Sequence, residues 1–423
     1  MAHLVLVEST PTAGLDVVRV AESVGHQVTF MAHDVRPYLV SSGADEAIRS
    51  AARVRAGVRT TDEDAILDAL RELHAEVPVD GVLTLSDAHL LPTTRAATRF
   101  GIAAEDPEAV ARLRDKHLMR RALRDAKVPQ PHFAPARTPD EAVAAAGTIG
   151  TPVVVKPADG FSSIHVGVAR TPQEVRTLAE AIVSSRGYGR GFVSSGLILV
   201  ERYVPGPLLS CEVATVRGQH LVYGCVDRHH AEGTSTVEMG GCFPADLPPS
   251  VTEEVARVCT AALDALGLRR SFSHTELVLG PEGPRIIEVN GRLIGGLVPA
   301  MMNGVLARPV HQDLIEVALG GLPPAPVTTG TGCIRSITAP CAGRLRGIDV
   351  EEARAVDGVR AVVLQTTDGQ RVRPPRDNRD RLGFIISAAA DARAARHAAD
   401  TAHARVRVLV EPETDTPTLE QHS

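Results

Sequence analysis

The stretch Ser271–Gly296, SFSHTELVLGPEGPRIIEVNGRLIGG, leaves this chain few ways to fold. Two β-patterned runs, Ser273–Leu279 and Arg285–Gly291, flank GPEGP, and Gly and Pro at that density end strands and turn the chain. A hairpin closing symmetrically about Glu282 sets Glu276 against Glu288 and His274 against Asn290. Side chains alternate along a strand, so these four share one face, while Leu277, Ile287 and Val289 take the other as core. Directly opposed carboxylates are destabilising unless a cation lies between them. Two carboxylates and an amide oxygen are the hard ligands Mg²⁺ accepts beside nucleotide phosphates. By itself the hairpin accommodates two readings, a metal site and a surface ribbon neutralised by Arg285 and Arg292. A bulge would also move the register by one.

The length of 423 residues calls for two to four domains, and 44% hydrophobic with 23% charged residues is ordinary globular material. No apolar run reaches the length of a membrane span, and Met1–Val7 lacks the basic start of a secretion signal. A cytoplasmic protein without a membrane partner is expected. The six cysteines form no CxxC pair and predict neither disulfides nor zinc. A net charge of −6 argues against nucleic acid as partner. Lysine is scarce: Lys116, Lys127 and Lys156 stand against 42 arginines among the 45 basic residues. Such survivors mark places where a compact ammonium does what a planar fork cannot, although chance accounts for any one of them about as well.

His3–Val7 and His26–Ala32 read as strands around a helical Gly14–Ser23, a βαβ unit with a parallel sheet. Asp80–Leu85 is a later strand ending at Ser86-Asp87. No GxGxxG follows the first strand and no GxxxxGK[ST] occurs, which disfavours a dinucleotide fold and a P-loop. Asp106-Pro107-Glu108 opens helical sequence to about Ala126, with Lys116 off its apolar stripe. Val153–Lys156 is a strand followed by a small-residue loop, Asp159–Gly167, whose backbone N–H groups and Ser162 and Ser163 hydroxyls can fold over phosphates. Leu197–Val204, Cys211–Val216 and Leu221–Val226 suggest an antiparallel sheet, and Thr252–Leu266 an amphipathic helix. GGLPPAPVTTG at 320–330 marks a boundary. The region beyond it mixes strands with a helix near Ala388–Ala404 and shows no chemical motif.

In order and spacing, DKHLMRRALRDAKVPQP (115–131), VVVKPADGFSSIHVGV (153–168), LVERYVPGP (199–207) and TELVLGPEGPRIIEVNGRLIGG (275–296) resemble the ATP-grasp superfamily. HTE at 274–276, the VNGRLIGG ending and a separate C-terminal domain resemble its carboxylate–amine ligases, the L-amino acid ligase branch above all. The resemblance implies an α/β and α+β fold. A pre-ATP-grasp domain with a parallel βαβ sheet (1–105) precedes an ATP-grasp domain (106–322) and a C-terminal α+β domain (330–411). It implies ATP and Mg²⁺, for which Mn²⁺ can substitute, and small-molecule substrates on a homodimer. Lys116 and Lys156 would hold the phosphates with Ser162 and Ser163; Glu201 and the backbone at Arg202 and Val204 would take the adenine. Glu276, Glu288 and Asn290 would hold the metal, Arg292 and His274 would serve catalysis, and Arg228, Glu238, Gly295 and Gly296 would meet substrate. One departure stands out: relatives carry a ribose-binding Glu after PGP where this chain has Leu208, with Glu212 as a substitute.

The activity implied is activation of an amino acid carboxylate as an acyl phosphate, then amide formation with an amine, another amino acid in the first instance. A carboxylase or purine-pathway ligase keeps the fold and changes the acceptor. A nucleotide-binding module without catalysis would not need two opposed metal carboxylates.

Overall fold

Five residues buried on both faces, His3–Val7 (β1), can only be the interior of a sheet covered on two sides. In the computed structural model, which describes residues 1–10, 14–39, 44–160, 164–185, 193–230 and 237–412, that is where β1 lies. It pairs in parallel with β2 (Gln27–Ala32) and β4 (Gly81–Leu83), and β3 (Arg53–Ala56) completes the order β3-β2-β1-β4. The carboxyl ends of such strands open onto a crevice, and Asp87 sits there, starting the helix Asp87–Phe100 right after β4.

The helical run expected from Asp106 to Ala126 is two helices, Pro107–Arg114 and Lys116–Asp125. Asp115 breaks it with extended backbone, and its carboxylate accepts from the N–H groups of His117 and Leu118, so it caps the second helix. A small antiparallel sheet follows, built from β5 (Phe133–Ala136), β6 (Val153–Pro157), β7 (Gly167–Ala169) and β8 (Ile198–Arg202) in the order β5-β8-β6-β7. Its two helices each begin Thr-Pro, and Thr138 and Thr171 accept from the N–H groups of Glu141 and Glu174. The apolar faces of these helices close a separate core over Val153, Val155 and Val200.

The large sheet holds β9 (Leu208–Val216), β10 (Gln219–His230), β11 (Glu238–Phe243), β12 (Arg270–Gly280) and β13 (Gly283–Asn290). Within the hairpin Glu276 pairs with Glu288 and His274 with Asn290. A bulge after Glu276 then brings Leu277 opposite Ile286. This corrects the expected core: Leu277, Ile286 and Val289 are fully buried, and Ile287 turns instead toward a cavity. The bulge absorbs the odd residue of a turn tighter than a loop centred on Glu282, with Gly280 paired to Gly283.

The C-terminal strands are β14 (Thr331–Thr338), β15 (Gly343–Asp349), β16 (Val359–Leu364), β17 (Arg371–Val372), β18 (Arg381–Ala389) and β19 (Arg407–Pro412). Hydrogen bonding crosses the Pro-rich segment: the sheet runs β13-β12-β9-β10-β11-β14-β18-β16 without interruption. Leu4 and Phe30 of the N-terminal sheet, Phe272 and Met301, and Ile334 and Phe384 beyond the boundary share one apolar cluster. Gly332 permits the approach, since a Cβ there would meet the Cγ and carbonyl oxygen of Met301 at 2.9 Å. The last helix is Ala392–Arg405, capped by Asp391, because residues 388 and 389 still belong to β18.

The cysteine expectation also needs correction. Cys242 and Cys333 form a disulfide, 91 residues apart in sequence. They face each other in register on the neighbouring strands β11 and β14, a proximity that no local spacing announces. Among the described residues no helix is long and apolar enough to cross a membrane.

Candidate active site

Two adjoining cavities, of about 390 and 240 Å³, share Glu238, Glu276 and Glu288 in their walls. The larger lies between the small sheet and the hairpin. Its walls are Val154 and Val168 on one side and Leu208, Val278 and Ile287 on the other, apolar surfaces suited to a flat heterocycle. Two of the three lysines point into it. Lys116 opens its helix because Asp115 caps there, and its Nζ donates to the Gly160 carbonyl (2.7 Å) and pairs with Glu288 (2.9 Å). Lys156 on β6 pairs with Glu201 (2.9 Å), and Arg120 Nε donates to the same carboxylate (2.7 Å). The third lysine, Lys127, is exposed at φ 59° just past the same helix, outside both cavities.

Burial pushes the Lys156 ammonium below its ordinary pKa, and Glu201 does not fully offset it. Burial also works against the Glu201 carboxylate, but Arg120 and Lys156 outweigh it and hold its pKa at about 2. Arg120 and Lys156 thus hold Glu201 while Lys116 holds Glu288, which sets both ammonium groups in the cavity wall, where phosphate oxygens can accept from them. Arg202 and Val204 line the same cavity, where the Arg202 N–H donates to the His132 carbonyl (2.8 Å). Leu208 is in its wall too. Glu212 cannot replace a ribose ligand: it is fully buried on β9, in register with His274 of the neighbouring β12, and Ser210 Oγ (2.9 Å) and His274 Nδ1 (2.7 Å) donate to it. Ser162 and Ser163 lie outside the described residues.

The smaller cavity gathers the rest. His274, Glu276, Glu288, Asn290, Arg292, Gly295, Gly296, Arg228 and Glu238 all line it. Arg228 bridges Glu276 (2.5 Å) and Glu238, and His274 Nε2 reaches Glu276 at 3.2 Å. Both imidazole nitrogens of His274 thus face carboxylate oxygens, which only accept. The ring donates twice, and Glu212 and Glu276 raise its pKa against the opposing effect of burial. Glu276 is held well below the carboxylate range, burial notwithstanding, by Arg228 and His274. The strain expected of two opposed acids is therefore absent: Glu276 leans on Arg228 and His274, Glu288 on Lys116. Arg292 is pinned by Asp87 and donates to the Leu293 carbonyl (2.9 Å), and Gly296 takes the left-handed backbone at φ 67°.

Among the described residues no group of three or more His, Cys, Asp or Glu side chains gathers to hold a metal. The candidate set here is two carboxylates and an amide, Glu276, Glu288 and Asn290. Both acids border the two cavities, Glu276 is already ionised, and oxygen donors of this kind fit Mg²⁺. Sequence reasoning gave Arg120 and Asp87 no place in the site, and offered Glu212 to the ribose where the structure sets it against His274. Asp87 carried a readable signal, its place at the carboxyl end of a parallel strand; a buried Arg within a polar helix carries none.

Three family models match in chain order: the ATP-grasp N-terminal domain over residues 18–102, the ATP-grasp domain over 149–300, and the L-amino acid ligase C-terminal domain 2 over 335–411. The chain belongs to the ATP-grasp superfamily. Within it, the C-terminal match sets the chain beside the L-amino acid ligases. It is 28% identical to the Sinorhizobium fredii protein y4rH over 91% of this chain and 78% of that one. It is 21% identical to the alanine–anticapsin ligase of Bacillus subtilis over 61% of this chain and 58% of that enzyme. The solved L-amino acid ligase of Bacillus licheniformis superposes with a TM-score of 0.81 at 21% identity, covering 97% of this chain and 99% of that one. The biotin carboxylase domain of Hydrogenobacter thermophilus 2-oxoglutarate carboxylase, solved as a dimer with MgADP and bicarbonate, superposes at 0.73 and 18% identity over 96% and 90%. Likeness at these structural identities establishes the fold.

Proposed function

We propose that this protein is an ATP-dependent carboxylate–amine ligase that joins an amino acid, through its carboxylate, to an amine carried by another amino acid. The observation that carries the reading is the meeting of two cavities at Glu276 and Glu288, with Lys116 and Lys156 on the nucleotide side and Arg292 on the other. The match to an L-amino acid ligase domain and the likeness to alanine–anticapsin ligase support amino acids as substrates.

Lys116 and Lys156 would hold the phosphates of ATP, with Glu201 and the backbone at Arg202 and Val204 at the adenine. Glu276, Glu288 and Asn290 would hold Mg²⁺, which when bound neutralises charge on the transferring phosphoryl group. Arg292, fixed by Asp87, would orient the donor carboxylate. A carboxylate oxygen attacks the γ-phosphorus and the bond to the ADP oxygen breaks, leaving an acyl phosphate. The amine nitrogen then attacks the acyl carbon, phosphate departs and a proton is released to solvent. Arg292 and doubly protonated His274 would stabilise the oxyanion between these events.

Amino acid pairs incubated with the protein and Mg·ATP should release ADP and phosphate, with dipeptides in the mass spectrum. AMP as the stoichiometric nucleotide product, or turnover with bicarbonate and no amino acid, would overturn the reading. Light scattering after size exclusion checks the homodimer that accompanies it.

A further inference from the structure

One wall of the smaller cavity comes from the region in which the sequence shows no chemical motif: Ser336, Asn378, Arg381 and Phe384 line it. Arg381 is held there chiefly by a backbone carbonyl and an aromatic ring, with its paired carboxylate at the outer limit of an ion pair. Its Nε donates to the Asn378 carbonyl (2.9 Å), and its guanidinium carbon stands 5.0 Å from the Phe384 ring centroid. Asn378 is fixed in turn, since its side-chain oxygen accepts from the Glu238 N–H (2.9 Å) and Asp377 caps the turn it begins. Among the described residues the carboxylate paired with Arg381, Glu238, stays 3.8 Å from Nη1, and Asp377 also acts on it electrostatically, although the arginine side chain is only 19% exposed. Burial, with Arg228 nearby, pushes its pKa down to about 10. Guanidinium forks in such surroundings ordinarily take a carboxylate in two parallel hydrogen bonds.

Across the sheet, charge alternates from Glu276 on β12 to Arg228 on β10, Glu238 on β11 and Arg381 at the start of β18. The end nearest the hairpin is where the reacting carboxylate belongs in the ligase reading, on which this inference rests. Arg381 lies several strands away, so a carboxylate bound there is a second one. We propose that Arg381, presented by the C-terminal region, binds the free carboxylate of the amine-supplying substrate and makes the enzyme select amino acids over simple amines.

The test is a competition among acceptors. The full chain with Mg·ATP receives an equimolar mixture of the twenty amino acids and their twenty C-terminal amides. The amides carry no α-carboxylate, so products ending in a carboxamide report the amide serving as acceptor. Mass spectrometry reads the ratio of free dipeptides to dipeptide amides in wild type, Arg381→Gln and Arg381→Lys. Wild type should favour the free acids. Arg381→Gln should shift the ratio toward amides by roughly tenfold or more, and Arg381→Lys should recover part of the preference. A ratio unchanged in Arg381→Gln overturns the proposal, including the case where total product falls, because a structural role lowers both products together. A change in which donor is used at constant ratio also overturns it. Thermal shifts of the same proteins with Mg·ADP and each acid or amide provide a readout without turnover. There the acid-over-amide difference should shrink in Arg381→Gln, and its persistence overturns the proposal. Absence of ADP release in wild type counts against the ligase reading alone.

Discussion

Lys156 and Lys127 are chemically identical and structurally opposite. Lys156 is buried against Glu201 in the larger cavity; Lys127 is exposed, in a backbone conformation that a helix end requires. Lys156→Arg should cost activity on the order of 10²-fold, because a planar fork cannot place its charge where a point ammonium stood. Lys127→Arg should change neither turnover nor stability by more than about 0.5 kcal/mol. Steady-state ADP release and denaturant melts on both variants decide the matter, and equal tolerance would make lysine scarcity a coincidence. His274 gives a prediction in pH. Its pKa is raised in the folded protein, so the stability it contributes is full below the ordinary histidine value of 6.5 and is lost as pH rises through the raised value. The denaturation midpoint of wild type should fall over that alkaline window, and His274→Asn should show a smaller fall. Identical pH profiles would mean the imidazole is not held charged between Glu212 and Glu276.

At the scale of elements, Asp115 connects local sequence to the site. One residue ends a helix, caps the next and sets Lys116 at its first turn. Asp115→Ala should lower stability by about 1 kcal/mol, within the 0.5–2 kcal/mol range of lost caps, and raise the KM for ATP as the second helix frays. A melt and an ATP titration on the same variant test both halves; an unaltered KM would separate Lys116 from its cap. Asp115 shows where sequence reasoning stops. Asp106-Pro107 announces a helix start, but Asp115 reads as one more polar residue in a continuous amphipathic run, because capping shows only in the backbone. The hairpin was more legible. Period-two alternation and a Gly-Pro turn were enough to oppose Glu276 and Glu288, while the bulge that sends Ile287 to the cavity left no mark in composition.

On the scale of the whole molecule, the least legible fact is the continuity of the large sheet. A Pro-rich stretch reads as a boundary because it ends helices and strands locally, and pairing between strands on either side of it is invisible to any window of sequence. The same long range hid the pairing of Cys242 with Cys333 and the arrival of Arg381 at the cavity. Continuity carries a prediction about what can be cut. Ending the chain after Gly330 would strip β14 from β11, exposing a row of unpaired N–H and C=O groups in the middle of a sheet. It would also remove Ile334, Phe384, Ile386 and Ala388 from a core they share with Leu4, Phe272 and Met301. An unpaired interior edge beside opened apolar surface favours association with other chains over folding. The fragment 1–330 should therefore be recovered as aggregate or as a monomer without a cooperative melt, although it keeps the lysines, the hairpin carboxylates and Arg292. Expression of the fragment and the full chain side by side, with light scattering and melts with and without Mg·ATP, is the measurement. A soluble fragment that melts cooperatively and is stabilised by Mg·ATP would show that the sheet divides where the prolines suggest. The C-terminal strands would then be an attachment to the catalytic core and not part of its foundation.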